Sequence, residues 1–125
     1  MPRYVILLHE LPDGHERSTH WDLMLERGDA LRTWALPVEP ALNMDCEARQ
    51  LADHRLAYLE YEGLISEDRG RVTRWDQGEY RPLAETPATI HVVLEGSKLR
   101  GRLTLEKGVR THFWRVSFSA DPTSG

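Results

Sequence analysis

The segment His20-Trp21-Asp22-Leu23-Met24-Leu25-Glu26 determines how the rest of this sequence is interpreted. Polar and apolar residues alternate along it, and a β-strand places successive side chains on opposite faces. A strand over this segment therefore has His20, Asp22, Met24 and Glu26 on one face and Trp21, Leu23 and Leu25 on the other. Imidazole nitrogen and carboxylate oxygen are ligands for Zn²⁺, Mn²⁺ or Fe²⁺. This face is a candidate half of a metal site.

Length and composition indicate one compact domain. The chain has 125 residues, 40% of them hydrophobic, which suits a single core. We predict one domain over residues 1–118 and a flexible tail over 119–125. The net charge of −4 excludes a surface that attracts nucleic acid as a whole, so phosphate binding requires a local cluster of Arg and Lys or a metal.

The sequence favours a cytoplasmic protein without membrane contact. No apolar run approaches the roughly 20 residues that span a bilayer. The opening Met1-Pro2-Arg3 leads straight into an apolar strand, without the features of a signal peptide. The single cysteine, Cys46, rules out an internal disulfide and suits a reducing compartment.

Short strand patterns recur along the whole chain. Turn signals separate them every eight to twelve residues, which predicts an antiparallel barrel or sandwich. The interval 45–51 fits either a short helix or a short strand, and Gln77-Gly78 resembles a hairpin turn. The predicted strands cover residues 3–9, 20–26, 31–36, 71–76, 79–83, 89–95, 99–106 and 111–118.

Two further histidines bear on the metal hypothesis. His9 ends the first predicted strand and His20 begins the next, and adjacent antiparallel strands bring such ends together. With Asp22 they form a set of two histidines and one carboxylate, which leaves coordination positions open for water and substrate. His54 is either a general acid or base near that metal or a structural histidine that caps a turn or bonds a tyrosine. The remaining histidines, His15, His91 and His112, are interpreted as solvated or structural.

The order of motifs resembles the 3′-phosphoesterase module at the N-terminus of bacterial DNA ligase D, which also exists as a stand-alone protein. The resemblance covers nearly the whole chain. It rests on seven segments in order, namely Tyr4-Val-Ile-Leu-Leu-His9, His20-Trp-Asp-Leu-Met-Leu-Glu26, Leu31-Arg-Thr-Trp-Ala-Leu-Pro37, Asp53-His-Arg-Leu-Ala-Tyr58, Tyr61-Glu-Gly63, Trp75-Asp-Gln-Gly-Glu-Tyr80 and Leu94-Glu-Gly-Ser-Lys-Leu-Arg-Gly101.

The resemblance implies a mainly β fold, a small antiparallel β-barrel with one or two short helices and a site at its mouth. It implies a divalent metal, Mn²⁺ before Zn²⁺ or others, held by His9, His20 and Asp22. By the same analogy His54 contacts the reacting phosphate and Tyr58 supports it. The implied partners are DNA or RNA-tipped DNA 3′ ends, together with ligase or polymerase proteins of DNA repair.

Four positions depart from the family pattern. Met24, Val38, Ala52 and Cys46 stand where the family has charged side chains that hold the phosphate or its supporting network. A thioether or methyl group cannot form a bidentate pair with phosphate. We therefore considered Arg49, Arg55 and Arg32 as substitutes from neighbouring positions.

Three functional hypotheses follow. The first is a metal-dependent phosphoesterase that removes a 3′-phosphate or a 3′-ribonucleotide from DNA ends during repair. The second is a non-catalytic accessory module of the same fold that binds metal or nucleic acid. The third is a metal phosphoesterase for a small phosphorylated molecule. A ring of basic side chains around the metal favours a polymer substrate, whereas a small closed pocket favours a small one.

Overall fold

The computed structural model describes residues 1–15 and 17–120. This part of the chain consists mostly of β-strands, with one 3-10 helix over Leu56–Leu59. The strands are β1 (Arg3–Glu10), β2 (His20–Arg27), β3 (Ala30–Leu36), β4 (Met44–Arg55), β5 (Gly63–Leu64), β6 (Arg71–Thr86), β7 (Thr89–Gly96), β8 (Arg100–Lys107) and β9 (Phe113–Ser119).

Eight of these strands close into an antiparallel barrel. The order around the sheet is β1-β2-β3-β4-β9-β8-β7-β6, and pairing between β1 and β6 closes the ring. The short β5 pairs with the first residues of β6. Closure removes the unpaired strand edges that an open sheet exposes. The predicted fold class, a small antiparallel β-barrel, is confirmed, and the part of the chain that the structure describes carries a single short helix.

Side-chain alternation divides the barrel wall into two apolar clusters. The interior cluster includes Trp34, Leu23 and Phe118, all at most 2% exposed. The outer cluster lies on the opposite face of β1 to β3 and contains Val5, Leu7, Met24, Leu31, Leu59 and Val72. Leu56, Tyr58 and Ile65 pack against this outer cluster. The segment from the 3-10 helix to β6 thus covers one side of the barrel from outside.

The predicted hairpin at Gln77-Gly78 is wrong. Residues 71–86 form one continuous strand, in which Gly78 pairs with Tyr4 on one side and Gly96 on the other. A Cβ atom at Gly78 would lie 2.2 Å from the Glu95 carbonyl oxygen. Glycine is therefore required here for close strand packing and not for a turn.

Further expectations concerned residues 45–51, the C-terminal tail and membrane-spanning segments. The interval 45–51, left open between helix and strand, belongs to the long strand β4. The predicted tail starts at Ser119, which is the last residue of β9, and residues 121–125 lie outside the described residues. The domain limits therefore stay a prediction. Within the described ranges, no helix has the length and apolar character that crossing a bilayer demands.

Candidate metal centre and the cavity beside it

The strand pairing brings His9, His20 and Asp22 together. His9 lies directly opposite His20 in the register of β1 and β2, and Asp22 follows on the same face two residues later. His9 Nδ1 is 3.3 Å from Asp22 Oδ2, and His20 Nε2 is 3.0 Å from Asp22 Oδ1. One potential ligand atom from each residue falls within 4.8 Å of the other two. The three side chains form a compact N, N, O donor set.

Hydrogen bonds to the backbone orient both imidazoles. His9 Nε2 donates to the Arg69 carbonyl oxygen at 2.7 Å, and His20 Nδ1 donates to the Ser18 carbonyl oxygen at 2.9 Å. Each ring therefore directs its other nitrogen toward Asp22. Metal-ligating histidines commonly hold one N–H in this way, which sets the tautomer and the ring orientation.

Two atoms of the cluster lack a hydrogen-bond partner despite burial. His20 Nε2 and Asp22 Oδ1 are fully shielded from solvent, and their mutual geometry does not satisfy a hydrogen bond within the described residues. Buried polar atoms without partners are costly, so their presence requires an explanation. A divalent cation would satisfy both atoms, and the donor set suits Mn²⁺, Zn²⁺ or Fe²⁺. The residues present therefore fit a metal.

Asp22 and His9 shift each other's pKa. Burial acts to raise the pKa of Asp22, but the neighbouring imidazoles of His20 and His9 outweigh it and the pKa is lowered. Asp22 in turn raises the pKa of His9, against the opposing effect of burial and with support from the Arg69 carbonyl. In the metal-free cluster, each of these two shifts favours the charged form of its side chain.

The cluster lies on the outer face of the barrel wall and not inside the mouth, which corrects one expectation from the resemblance. Leu7 and Met24, on the same face as the cluster, belong to the outer apolar cluster. The barrel interior is filled by apolar and aromatic side chains. Because interior and exterior residues alternate, the strand segment that supplies Leu23 to the core necessarily presents Asp22 outward.

A β-bulge brings His54 to this same face. Leu31 pairs with His54 and Thr33 with Leu51, so two residues of β4 lie opposite one residue of β3. The extra residue reverses the alternation, and Leu51 and His54 both line the cavity. His54 Nδ1 donates to the Ala52 carbonyl oxygen at 2.9 Å. Its Nε2 remains the nitrogen available to the cavity.

Tyr58 supports His54 from the 3-10 helix. The two rings meet edge to face, with centroids 5.5 Å apart and an interplanar angle of 70°. Both line the same cavity, which has a volume of about 330 Å³ and also includes His9 and Asp22. The structure therefore brings five of the predicted site residues together, while their roles stay predictions.

Two arginines at this cavity were missed by sequence reasoning. Arg17 comes from the loop between β1 and β2, and Arg69 comes from the loop before β6. The Arg69 guanidinium is held by Ser66, with Nε donating to its carbonyl oxygen at 3.0 Å and Nη2 to its hydroxyl at 3.1 Å. Both loops looked like ordinary polar connections, and no spacing in the sequence marks them. Their position follows from the strand pairing alone.

The three arginines considered from the sequence do not share this position. Arg32 projects to the inner face at one barrel end, where it pairs with Glu85 at 3.1 Å. Arg49 lies in a neighbouring shallow groove with His112, and Arg55 lines a second cavity next to the metal cavity. None of the three lines the metal cavity itself. Strand alternation directs Arg32 away from the cluster, so it is excluded from the candidate site.

The four divergent positions also have different environments. Cys46 packs against the interior cluster, where burial raises the pKa of its thiol, so that position is turned away from the candidate site. Val38 is 45% exposed beyond the end of β3. Met24 and Ala52 do line the cavity. Of the four divergent positions, only Met24 and Ala52 therefore line the candidate site.

The structure thus combines a closed antiparallel barrel with a cluster of two histidines and one carboxylate, and a further histidine lines the adjacent arginine-containing cavity. Residues 13–107 match the family model described as the DNA Ligase D 3'-phosphoesterase domain. The chain belongs to this family.

Curated relatives agree with the family match. The chain is 34% identical over 107 residues to the multifunctional non-homologous end joining protein LigD of Pseudomonas aeruginosa, covering 77% of this chain. It is 33% identical over 104 residues to the corresponding LigD of Mycobacterium bovis, covering 76% of this chain. The matches span only 13% and 14% of those two proteins. The chain therefore corresponds to one part of much longer relatives.

Proposed function

We propose that this protein is a metal-dependent phosphoesterase that acts on 3′ ends of DNA, removing a 3′-phosphate or a 3′-terminal ribonucleotide in DNA end repair. The observation that carries the proposal is the cluster of His9, His20 and Asp22 beside a cavity that His54 also lines. Family membership supports the reaction class, and the relatives are named as non-homologous end joining proteins.

The proposed metal ligands are His9, His20 and Asp22, with Mn²⁺ as the preferred ion. A bound divalent ion supplies charge compensation for phosphoryl oxygens and orients the attacking and leaving groups. Asp22 and the two imidazoles are already held in place by the strands and by backbone hydrogen bonds. Little reorganisation is therefore needed when the site is filled.

His54 is the proposed group that handles the proton or the negative charge at the reacting phosphate. Its Nδ1–H is committed to Ala52, so Nε2 faces the chemistry. A protonated Nε2 donates to a phosphoryl or departing oxygen, and a neutral one accepts a proton from water. Tyr58 packs on the ring and restricts its rotation.

Arg17 and Arg69 are the proposed phosphate-binding groups in place of the arginine that the resemblance expects at Met24. Both line the cavity that contains Asp22 and His54. Because Ser66 holds two of the guanidinium nitrogens of Arg69, that side chain loses little conformational entropy on binding an anion. The surface as a whole does not attract an anionic ligand, because the net charge is −4. These two arginines supply positive charge locally, at the cavity.

A non-catalytic accessory module is the second candidate. It is favoured by Met24 and Ala52, which make part of the cavity wall apolar where the resemblance expects charged groups. Such a module would bind metal and DNA ends without turnover. The experiment below separates the two candidates.

The test offers the purified protein a primer–template that ends in a 3′-phosphate or in a single 3′-ribonucleotide, with and without Mn²⁺. We expect conversion to a 3′-hydroxyl end only with the metal, and a loss of about 10²- to 10⁴-fold in rate for His54→Ala. His91→Ala is the matched control, because His91 lies on β7 away from this cavity, with its Nδ1 3.2 Å from the Thr104 hydroxyl.

The possible outcomes distinguish the DNA-end phosphoesterase from the accessory module and from a small-molecule phosphoesterase. Metal binding without any product in the unsubstituted protein supports the accessory module and contradicts the enzyme. A product that forms equally well with His54→Ala contradicts the assigned role of His54. Turnover of a small phosphomonoester but not of the oligonucleotide supports a small-molecule phosphoesterase instead.

A further inference from the structure

A second cavity of about 280 Å³ adjoins the metal cavity. The two share Tyr58, Ile65 and Arg69 as common walls. The remaining wall of the second cavity includes Arg55, Tyr61 and Leu64. We call this second cavity the tyrosine groove. These three shared side chains form the boundary between the two cavities.

The groove presents apolar and aromatic surface to solvent. Leu64 is 74% exposed and Tyr61 is 39% exposed. The ring of Tyr61 is held open: its hydroxyl donates to the Leu64 carbonyl oxygen, and Tyr58 packs on it edge to face at 5.9 Å. Gly63, with φ of +135°, allows the tight chain path between the two bonded residues.

The charge of the groove is positive. Its lining residues include Arg55 and Arg69 and no carboxylate. The two glutamates next to Tyr61 are engaged elsewhere, Glu60 with the Arg3 guanidinium at 3.6 Å and Glu62 with the Arg74 backbone amide at 2.8 Å. Aromatic faces interleaved with arginines are the combination that binds a nucleotide, through stacking on the base and ion pairing with the phosphate.

We infer that the tyrosine groove is a subsite for the second nucleotide from the 3′ end, which precedes the nucleotide that carries the reacting phosphate. The base of this second nucleotide stacks on Tyr61, and Arg55 holds the phosphate that links the two nucleotides. Arg69 lies on the shared wall and contacts the groups on both sides. This inference rests on the proposed function and specifies its substrate class as an oligonucleotide end of at least two nucleotides.

The test measures equilibrium binding by calorimetry in the presence of Mn²⁺. The ligands are inorganic phosphate, thymidine 3′-monophosphate and a thymidine dinucleotide with a 3′-terminal phosphate. A His54→Gln background prevents turnover while it keeps a planar side chain against Tyr58. We expect the dinucleotide to bind about tenfold more tightly than the mononucleotide, in line with the gain from one stacked base.

The variants localise that gain. Tyr61→Ala and Arg55→Ala should each remove at least about fivefold of the dinucleotide advantage and leave mononucleotide affinity unchanged. Tyr61→Phe keeps the ring and should retain most of the advantage. Arg81→Ala is the matched control, since Arg81 is an exposed arginine on β6 outside both cavities.

Equal affinity for the mononucleotide and the dinucleotide overturns the inference. A Tyr61→Ala variant that binds both ligands more weakly to the same extent also overturns it, because Tyr61 then acts only structurally. In either case binding of phosphate and mononucleotide leaves the proposed function standing. Failure of all three ligands to bind the Mn²⁺-loaded protein contradicts the proposed function as well.

Discussion

The two faces of the β1–β2 hairpin differ sharply although they derive from the same residues in alternation. Leu23 and its neighbours on the inner face are completely buried in a dry, filled barrel. Asp22, one residue away, is nearly as buried but lies beside two imidazoles and an open cavity. The comparison teaches that one face contributes apolar packing, while the other buries a cluster of ionisable side chains beside a cavity. Substitutions on the two faces should therefore affect different measurements.

The largest expected effect comes from Asp22→Asn. The amide keeps the size of the side chain but removes the charge that the two histidines and a cation need. Loss even of an outer-sphere partner costs about 10- to 100-fold in metal affinity, so loss of this ligand should cost at least about a hundredfold and reduce turnover to background. Titration with Mn²⁺ measures the first effect. Asp45→Asn, an exposed aspartate on β4, is the control, and unchanged affinity in Asp22→Asn contradicts the ligand assignment.

Leu23→Ala tests the other face. Removal of a fully buried leucine leaves a cavity in the interior cluster, so we expect the free energy of unfolding to fall by about 2–5 kcal/mol. Denaturant titration measures this, with Leu83→Ala as the control because Leu83 is 43% exposed. Metal affinity of the folded fraction should stay unchanged. A large loss of Mn²⁺ affinity would instead show that the two faces are coupled.

Gly78→Ala tests the strand that closes the barrel. The new methyl group would meet the Glu95 backbone at 2.2 Å, so β6 and β7 must separate locally. We expect a destabilisation of about 1–3 kcal/mol, which is typical of overpacking. The neighbouring exposed Gln77→Ala should be nearly neutral. A neutral Gly78→Ala variant would indicate that these strands pair less closely than described.

The smallest expected effect is the pH dependence of the metal-free protein. The lowered pKa of Asp22 stabilises the fold above 3.8, and this contribution is lost as the pH falls through the folded-state value. The raised pKa of His9 stabilises the fold below 6.5, and this contribution is lost as the pH rises through its folded-state value. Metal-free stability should therefore be highest between these limits.

Bound Mn²⁺ should reverse the loss of stability that the metal-free protein shows as the pH rises through the raised pKa of His9. A ligating His9 must be deprotonated, so Mn²⁺ affinity should increase as the pH rises through the raised pKa of His9. Thermal unfolding at several pH values, with and without Mn²⁺, tests both limbs. A profile that is identical in Asp22→Asn and the unsubstituted protein would show that the cluster does not contribute.

Sequence reasoning succeeded where a pattern is local. Alternation in the segment 20–26 predicted both the strand and the residues that share its face, and the position of His9 at a strand end predicted the pairing with His20. Residue patterns alone left the role of His54 open, and only the resemblance assigned it to the site, which it reaches through the bulge in β4. The suggestion that Arg32 substitutes for a phosphate-binding residue was wrong, because Arg32 turns inward on β3. A bulge has no sequence signature here, because it depends on which residues the partner strand presents.

By itself, the sequence determined the strands, the barrel class and the donor set of His9, His20 and Asp22, because side-chain period and ligand chemistry are properties of short segments. Only the tertiary structure decided that this set lies on the outer wall, that Arg17 and Arg69 join it, and that the tyrosine groove extends it. The reason is physical: strand closure and loop packing bring together residues distant in sequence, and no local pattern encodes those distances.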